Sequence, residues 1–138
     1  MNVRDVMTKN PRTVAPNDSI QRAATVMKEV DTGFVPIVEN GRVEGVITDR
    51  DLVVRAVAAG SFDKPVSEIA TRDLVFVAPG DSTREAERLM SQRQIRRIAV
   101  VENDLLVGIV SLGDLAVKEG KDSRTGETLE NISEGVKH

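Results

Sequence analysis

The period of the apolar positions changes several times along this chain, and each change predicts an element. RTVA (12–15) and VFVA (75–78) are short extended runs, each stopped by a proline, Pro16 or Pro79. The spacing then becomes helical. Ile20, Ala23, Ala24, Met27 and Val30 fall at i, i+3, i+4, i+7 and i+10, one stripe for a core. Asp18 and Ser19 stand where such a helix starts. Asp81 and Ser82 repeat them, and Ser82 with Glu85 has the form of a capping box. Ala86, Leu89, Met90 and Arg93 carry a weaker version of the stripe. Two hairpins follow these helices. FVPIVE (34–39) and RVEGVIT (42–48) flank Asn40-Gly41, a strong two-residue turn signal, and RIAVVE (97–102) and LLVGIVS (105–111) flank Asn103-Asp104. Closing helices are expected over DLVVRAVAAG (51–60) and DLAVKEG (114–120), each ending on glycine as a C-cap would.

The whole plan is written twice. Shifting the chain by 63 residues lays residues 3–52 on 66–115 without a gap. Identities include Val3/Val66, Thr8/Thr71, Pro16/Pro79, Ser19/Ser82, Met27/Met90, Asn40/Asn103, Gly45/Gly108, Asp51/Asp114 and Leu52/Leu115. This is an internal duplication. It predicts an α+β fold of two β-α-β-β-α repeats, 1–60 and 61–120, joined by a short linker containing Pro65. A polar tail, 121–138, follows, in which Leu129, Ile132 and Val136 could mark a short docking helix. A repeat of this size buries too little surface to be comfortable alone. The two are therefore expected to bury their apolar faces against each other about a pseudo-twofold axis, leaving two equivalent clefts and paired ligand sites.

Composition narrows the function. The chain has 138 residues, is 40% hydrophobic and 30% charged, and carries a net charge of −3, which argues against a broad basic face for nucleic acid. The charged N-terminus MNVRDVMTKN lacks the apolar core of a signal peptide, and no apolar run is long enough for a membrane span. A soluble, cytoplasmic protein is the expectation. There is no cysteine, and the one histidine is the last residue, His138. A thiolate nucleophile and a cysteine metal site are thereby excluded, and no histidine base stands in an ordered segment. Gly120-Lys121 is followed by Asp122, with Leu115 where a phosphate loop needs its first glycine. The expectation is a protein that is not an enzyme and holds no obligatory cofactor or metal.

The chemistry sits in the strand-to-helix junctions, GVITDRD (45–51) and GIVSLGD (108–114). Thr48-x-x-Asp51 and Ser111-x-x-Asp114 both fit the hydroxyl-plus-acid pattern that caps a helix, worth about 1 kcal/mol. The same groups suit a nucleotide. The N-terminus of a helix favours phosphate, a hydroxyl can donate to a phosphate oxygen, and a carboxylate accepts from ribose hydroxyls. Local chemistry alone leaves both readings open.

Taken together, the duplicated element order, the Gly-h-h-Ser/Thr-x-x-Asp ending and the h-Pro-h-h before the first hairpin resemble the cystathionine β-synthase (CBS) domain. Two in tandem resemble a Bateman module over residues 3–120. ITDRDLVVRAV and VSEI-x-T are similar to stand-alone bacterial and archaeal CBS pairs. The resemblance implies regulatory binding of an adenosyl small molecule (AMP, ADP, ATP or a relative) without catalysis. It also implies a disc-like homodimer and a separate effector protein. By the same resemblance Asp51 and Asp114 hold ribose hydroxyls, and Thr48 and Ser111 meet ribose or phosphate. Arg12, Thr13, Val75 and Phe76 line the adenine pockets, with Val35, Pro36 and Ile37 in one repeat and Ile98, Ala99 and Val100 in the other. Arg96 and Arg97 face phosphate, or else a solvated hairpin edge. Arg50 and Arg55 are expected toward solvent or a dimer partner. The second repeat departs from the family at Ala99 and Ala70, where proline and methionine are usual. The first has Gly33-Phe34 opposite Arg96-Arg97, so a single charged-nucleotide site would be the one with Ser111 and Asp114. The alternative is a structural dimerisation or interaction module with empty or degenerate sites.

Overall fold

The computed structural model describes residues 1–119, so the expected Gly120 cap and the tail 121–138 lie outside the described residues. The chain forms two compact units. One gathers Met1–Pro11, Val75–Asn103 and the chain from Val107 onward; the other gathers Arg12–Leu74 and Asp104–Leu106.

The second of these units is built on the hairpin of β2 (Phe34–Glu39) and β3 (Arg42–Thr48), in which Val35 faces Ile47 and Pro36 faces Val46. Asn40 and Gly41 both take positive φ, 54° and 81°, as a two-residue turn between right-twisted strands demands. Val14 bridges Ile37 in parallel on one side of the hairpin, and Thr71 bridges Val46 antiparallel on the other. Helix α2 (Ile20–Val30) starts where Ser19 Oγ accepts from the Arg22 amide at 3.0 Å. It ends at Asp31 in the left-handed conformation. Its core face is Ile20, Ala23, Val26 and Met27. Val26 replaces Ala24 in the predicted stripe because Ala24 lies roughly 100° round the helix from the centre of the buried face. Val30 lies on that face but in the last turn, and stays exposed.

The closing helix of this unit departs from expectation. A single turn, α3 (Asp49–Asp51), passes directly into a π-helical stretch, Leu52–Val57. There the Ala58 N–H donates to Val53 O five residues back, at 2.9 Å. The stretch ends at Ala58, still right-handed, and the expected glycine, Gly60 at φ 67°, lies two residues beyond that cap. A short α4 (Val66–Ile69), led by Pro65, completes the unit. Val14, Val35, Ile37, Ile47, Ala56, Val66 and Ile69 join the α2 face in one core.

The other unit repeats the design with a fuller sheet, in the order β1-β6-β5-β4. These strands are β1 (Thr8–Lys9), β4 (Phe76–Val77), β5 (Arg97–Glu102) and β6 (Leu105–Ser111). Helices α1 (Val3–Val6), α5 (Thr83–Arg93) and α6 (Leu112–Glu119) cover it. The core holds Val3, Val6, Val77, Ala86, Met90, Ile98, Val100, Val110, Leu112 and Leu115. Ser82 caps α5 through the Glu85 amide at 3.1 Å, but only half of the expected box forms, because the Glu85 carboxylate turns to Arg88.

Neither α1, α4 nor β1 was visible in the apolar pattern. They also explain why the spatial units do not follow the division at 1–60 and 61–120. Thr8 pairs with Ile109 of the second repeat, and its counterpart Thr71 bridges Val46 of the first. Each repeat's leading segment adds the outer strand position to the other repeat's hairpin.

Candidate functional site

The residues singled out from the sequence divide cleanly between the two units. Arg12, Thr13, Val35, Pro36, Ile37, Thr48 and Asp51 share one; Val75, Phe76, Arg96, Arg97, Ile98, Ala99, Val100, Ser111 and Asp114 share the other. In each unit the same local geometry places them. A hairpin strand ends on the hydroxyl residue, and a helix begins at once. A parallel pairing then brings the preceding extended run beside the middle strand, through the Val14–Ile37 bridge in one unit and through Phe76–Ala99 and Val77–Val100 in the other.

Both junctions close a capping box. Thr48 Oγ1 accepts from the Asp51 amide at 3.1 Å, while Asp51 Oδ2 accepts from the Thr48 amide at 3.0 Å. Ser111 Oγ and Asp114 Oδ2 do the same, each at 3.0 Å. Capping is therefore a property of both turns, and any ligand chemistry must use what the cap leaves over.

What is left over differs. Asp51 is buried, at 5% exposure, and its carboxylate is taken up further. The Thr71 hydroxyl lies 3.1 Å from Oδ2 and 3.2 Å from Oδ1, and Arg55 Nε lies 3.7 Å from Oδ1. Asp114 is half-buried, and among the described residues its Oδ1 accepts no hydrogen bond. Arg96 and Arg97 stand exposed at the start of β5, in the unit that holds Asp114. The Arg96 carbonyl accepts from the Leu112 amide at 2.9 Å, which fixes the arginine backbone to the first residue of α6.

In the other unit the same backbone bond runs from the Asp49 amide to Gly33 O at 3.0 Å, but the side chains are different in kind. The Asp49 carboxylate lies where a Cβ on residue 33 would be. An acidic group thus occupies the place corresponding to the root of Arg96. Arg12 is drawn to Glu29 of α2, at 3.0 Å. Arg55 does more than face solvent: its guanidinium donates to Ala70 O at 3.1 Å and Ile69 O at 3.4 Å, at the end of α4.

Thr71 and Asp49 are the residues that sequence reasoning passed over, and Arg55 is one it placed only toward solvent or a dimer partner. Thr71 had a signal, its identity with Thr8 in the repeat. The role of Asp49 is visible only once Gly33 is seen to lie against it. Val35, Pro36, Ile37, Ile98, Ala99 and Val100 are all buried, so these strands present backbone and side-chain edges rather than open side chains. Phe76 is exposed at 44%. Among the described residues no group of three or more histidine, cysteine or acidic side chains could hold a metal ion. No described helix is long and apolar enough to cross a membrane.

The family model of the CBS domain matches this chain twice, over residues 3–57 and 66–118. A CBS domain-containing protein of Bacillus subtilis, YhcV, is 46% identical over 132 residues, covering 95% of this chain and 94% of its own. The crystal structure of the CBS domain pair of protein MJ0100, in complex with 5′-methylthioadenosine and S-adenosyl-L-methionine, superposes with a TM-score of 0.78. It is 30% identical and covers 88% of this chain and 98% of its own. Hypoxic Response Protein I, crystallised with two coordinated zinc ions, gives a TM-score of 0.78 at 32% identity, covering 85% of this chain and 98% of its own.

Proposed function

Because this chain belongs to the CBS domain family and carries two copies in tandem, we propose that it is a regulatory module that binds an adenine nucleotide (AMP, ADP, ATP or a related adenosyl compound) and performs no chemistry on it. The observation that carries this reading is the Ser111–Asp114 turn. The Asp114 Oδ2 atom is committed to the cap, while Oδ1, which accepts no hydrogen bond among the described residues, would accept a ribose hydroxyl. Arg96 and Arg97 supply charge-assisted donors for phosphate in the same unit. The α6 terminus adds a favourable dipole. The adenosyl ligands of the MJ0100 pair support the ligand class. A bound nucleotide can bias the protein only by its difference in affinity between two conformations, and a separate effector protein is the partner that would read that bias.

The chain has no tryptophan and no tyrosine, which makes the test direct. Denaturing the purified protein should release a compound with an adenine band near 260 nm and an identifiable mass. Should nothing be released, titration with AMP, ADP, ATP and S-adenosylmethionine must give heat; silence in both experiments ends the nucleotide reading.

A second reading has its own observation. Val53, Val54 and Val57 of the π-helical stretch and Phe62 just beyond it are exposed at 60%, 49%, 56% and 60%, apolar side chains left open to solvent. A homodimer would cover it, and the two capping boxes would then be purely structural. Light scattering of the wild type against Val53→Glu tests the association independently of nucleotide.

A further inference from the structure

Two independent features separate the two junctions, and both point the same way. The first is the Thr71 hydroxyl. Its backbone is held on both sides by Val46, with N–H···O distances of 2.9 and 3.0 Å, so the side chain is presented to Asp51 by a fixed frame. With Thr48 N–H, Thr71 and Arg55 around it, the Asp51 carboxylate has donors at both oxygens and is almost wholly withdrawn from solvent. A ribose would have to displace the Thr71 bond and gain only what it replaced. Thr8 holds the same register opposite Ile109, yet among the described residues its hydroxyl makes no hydrogen bond and Asp114 Oδ1 accepts none. The second feature is charge. The Asp49 carboxylate fills the space against Gly33, whereas Arg96 stands at the corresponding position with Leu112, buried and uncharged, opposite. A phosphate near residue 33 would meet a like charge; near residue 96 it would meet a guanidinium.

We infer that the chain binds one anionic nucleotide, at the Ser111–Asp114 turn, and that the Asp51–Thr71 pair is a strap that fastens the segment leading into the second repeat to the α3 turn that follows β3 of the first. This rests on the nucleotide reading above. Thr71 is a positioning residue that withholds Asp51 from ligand. Duplication has left one turn as a site and turned the other into a structural clasp.

Calorimetric titration with AMP reads the difference. The wild type should bind one AMP per chain. Asp114→Asn should weaken binding at least tenfold. Thr71→Val, which keeps shape and removes the hydroxyl, should leave AMP affinity within about twofold and, because the Asp49 carboxylate against Gly33 still opposes phosphate, the stoichiometry at one. The same variant should lower the melting temperature and speed hydrogen exchange at the Val46 and Thr71 amides, because the clasp is gone. Two AMP per chain in the wild type, or binding kept in Asp114→Asn and lost in Asp51→Asn, overturns the inference while leaving nucleotide binding intact. An unchanged melting temperature and exchange rate in Thr71→Val overturns the clasp. If neither AMP nor S-adenosylmethionine gives heat with the wild type, the nucleotide reading falls and the single-site inference falls with it.

Discussion

The turn at Asp51 and the turn at Asp114 share a hydroxyl, an acid, a three-residue spacing and a capping box, and still offer a ligand different things. In one the carboxylate is enclosed by Thr48, Thr71 and Arg55; in the other, among the described residues, a single backbone bond holds it. The lesson is that a motif specifies its cap but not its availability. Availability is decided by how residues from elsewhere in the chain meet the motif: Thr8 and Thr71 are identical, yet among the described residues only the Thr71 hydroxyl bonds its aspartate.

The position just after each aspartate breaks the comparison most strongly. Leu115 is fully buried in its core, while Leu52, at the head of the π-helical stretch, is only partly buried. Leu115→Ala should cost about 2–5 kcal/mol through lost burial and the cavity left behind. Leu52→Ala should cost about half of that or less, because less surface returns to water. Urea unfolding of the two variants measures the gap. Equal losses would mean that the two closing helices are anchored alike, against the difference in burial.

The glycine that opens each motif is the next place to press. A Cβ on Gly108 would lie 2.7 Å from Met7 Sδ and 2.9 Å from the Thr8 carbonyl. The carbonyl belongs to β1 and cannot swing aside, so Gly108→Ala should cost about 1–3 kcal/mol and loosen that strand. A Cβ on Gly45 would meet Thr71 O at 3.3 Å and Ala70 Cβ at 3.4 Å, so Gly45→Ala asks the neighbours for only a few tenths of an ångström. Its cost should fall below about 1 kcal/mol. The asymmetry follows the exchange of Met7 for Ala70. Accordingly, Met7→Ala should relieve part of the penalty at Gly108, leaving the part due to the carbonyl. Thermal melts of the single and double variants read this directly; no relief would place the whole strain on the backbone.

These contrasts also show what the sequence made legible. The hairpins were readable because Asn40-Gly41 and Asn103-Asp104 carry their own turn chemistry, and both pairs do take positive φ. The starts of α2 and α5 were readable because Ser19 and Ser82 bond the amides three residues on. The leading segments were not. Val3–Val6 and Val66–Ile69 are too short to set a helical period, and their partners lie far along the chain. The candidate site was legible at Ser111 and Asp114 for the same local reason as the caps. The enclosure of Asp51 was not, since it depends on a hydroxyl twenty residues away. The winding of Leu52–Val57 as a π-helix has no signal in its valine-rich sequence that distinguishes it from an α-helix.

The smallest effect sharpens the comparison between the two long helices. Both begin on serine, but the third helical residue is Arg22 in α2 and Glu85 in α5, so only α5 could close a capping box. It does not, because Glu85 is held by Arg88, at 2.9 and 2.6 Å. That hydrogen bond, helped by the guanidinium charge, lowers the Glu85 carboxyl below its ordinary value and raises Arg88 above its own. A carboxyl whose folded value is depressed favours the fold fully above its unfolded value. The contribution is lost as pH falls from there through the folded value. The pair lies at the surface, with Arg88 exposed and Glu85 partly so, and the effect should be small and screened by salt. Glu85→Gln should flatten a shallow acid slope in the melting temperature, and Arg88→Ala should flatten it equally, since either removes the same pair. If Arg88→Ala keeps the slope, the freed Glu85 has found another charged partner. A carboxylate that swung back to the Ser82 amide would close the box that α5 has the residues to form, and at high salt the slope would persist only in that case.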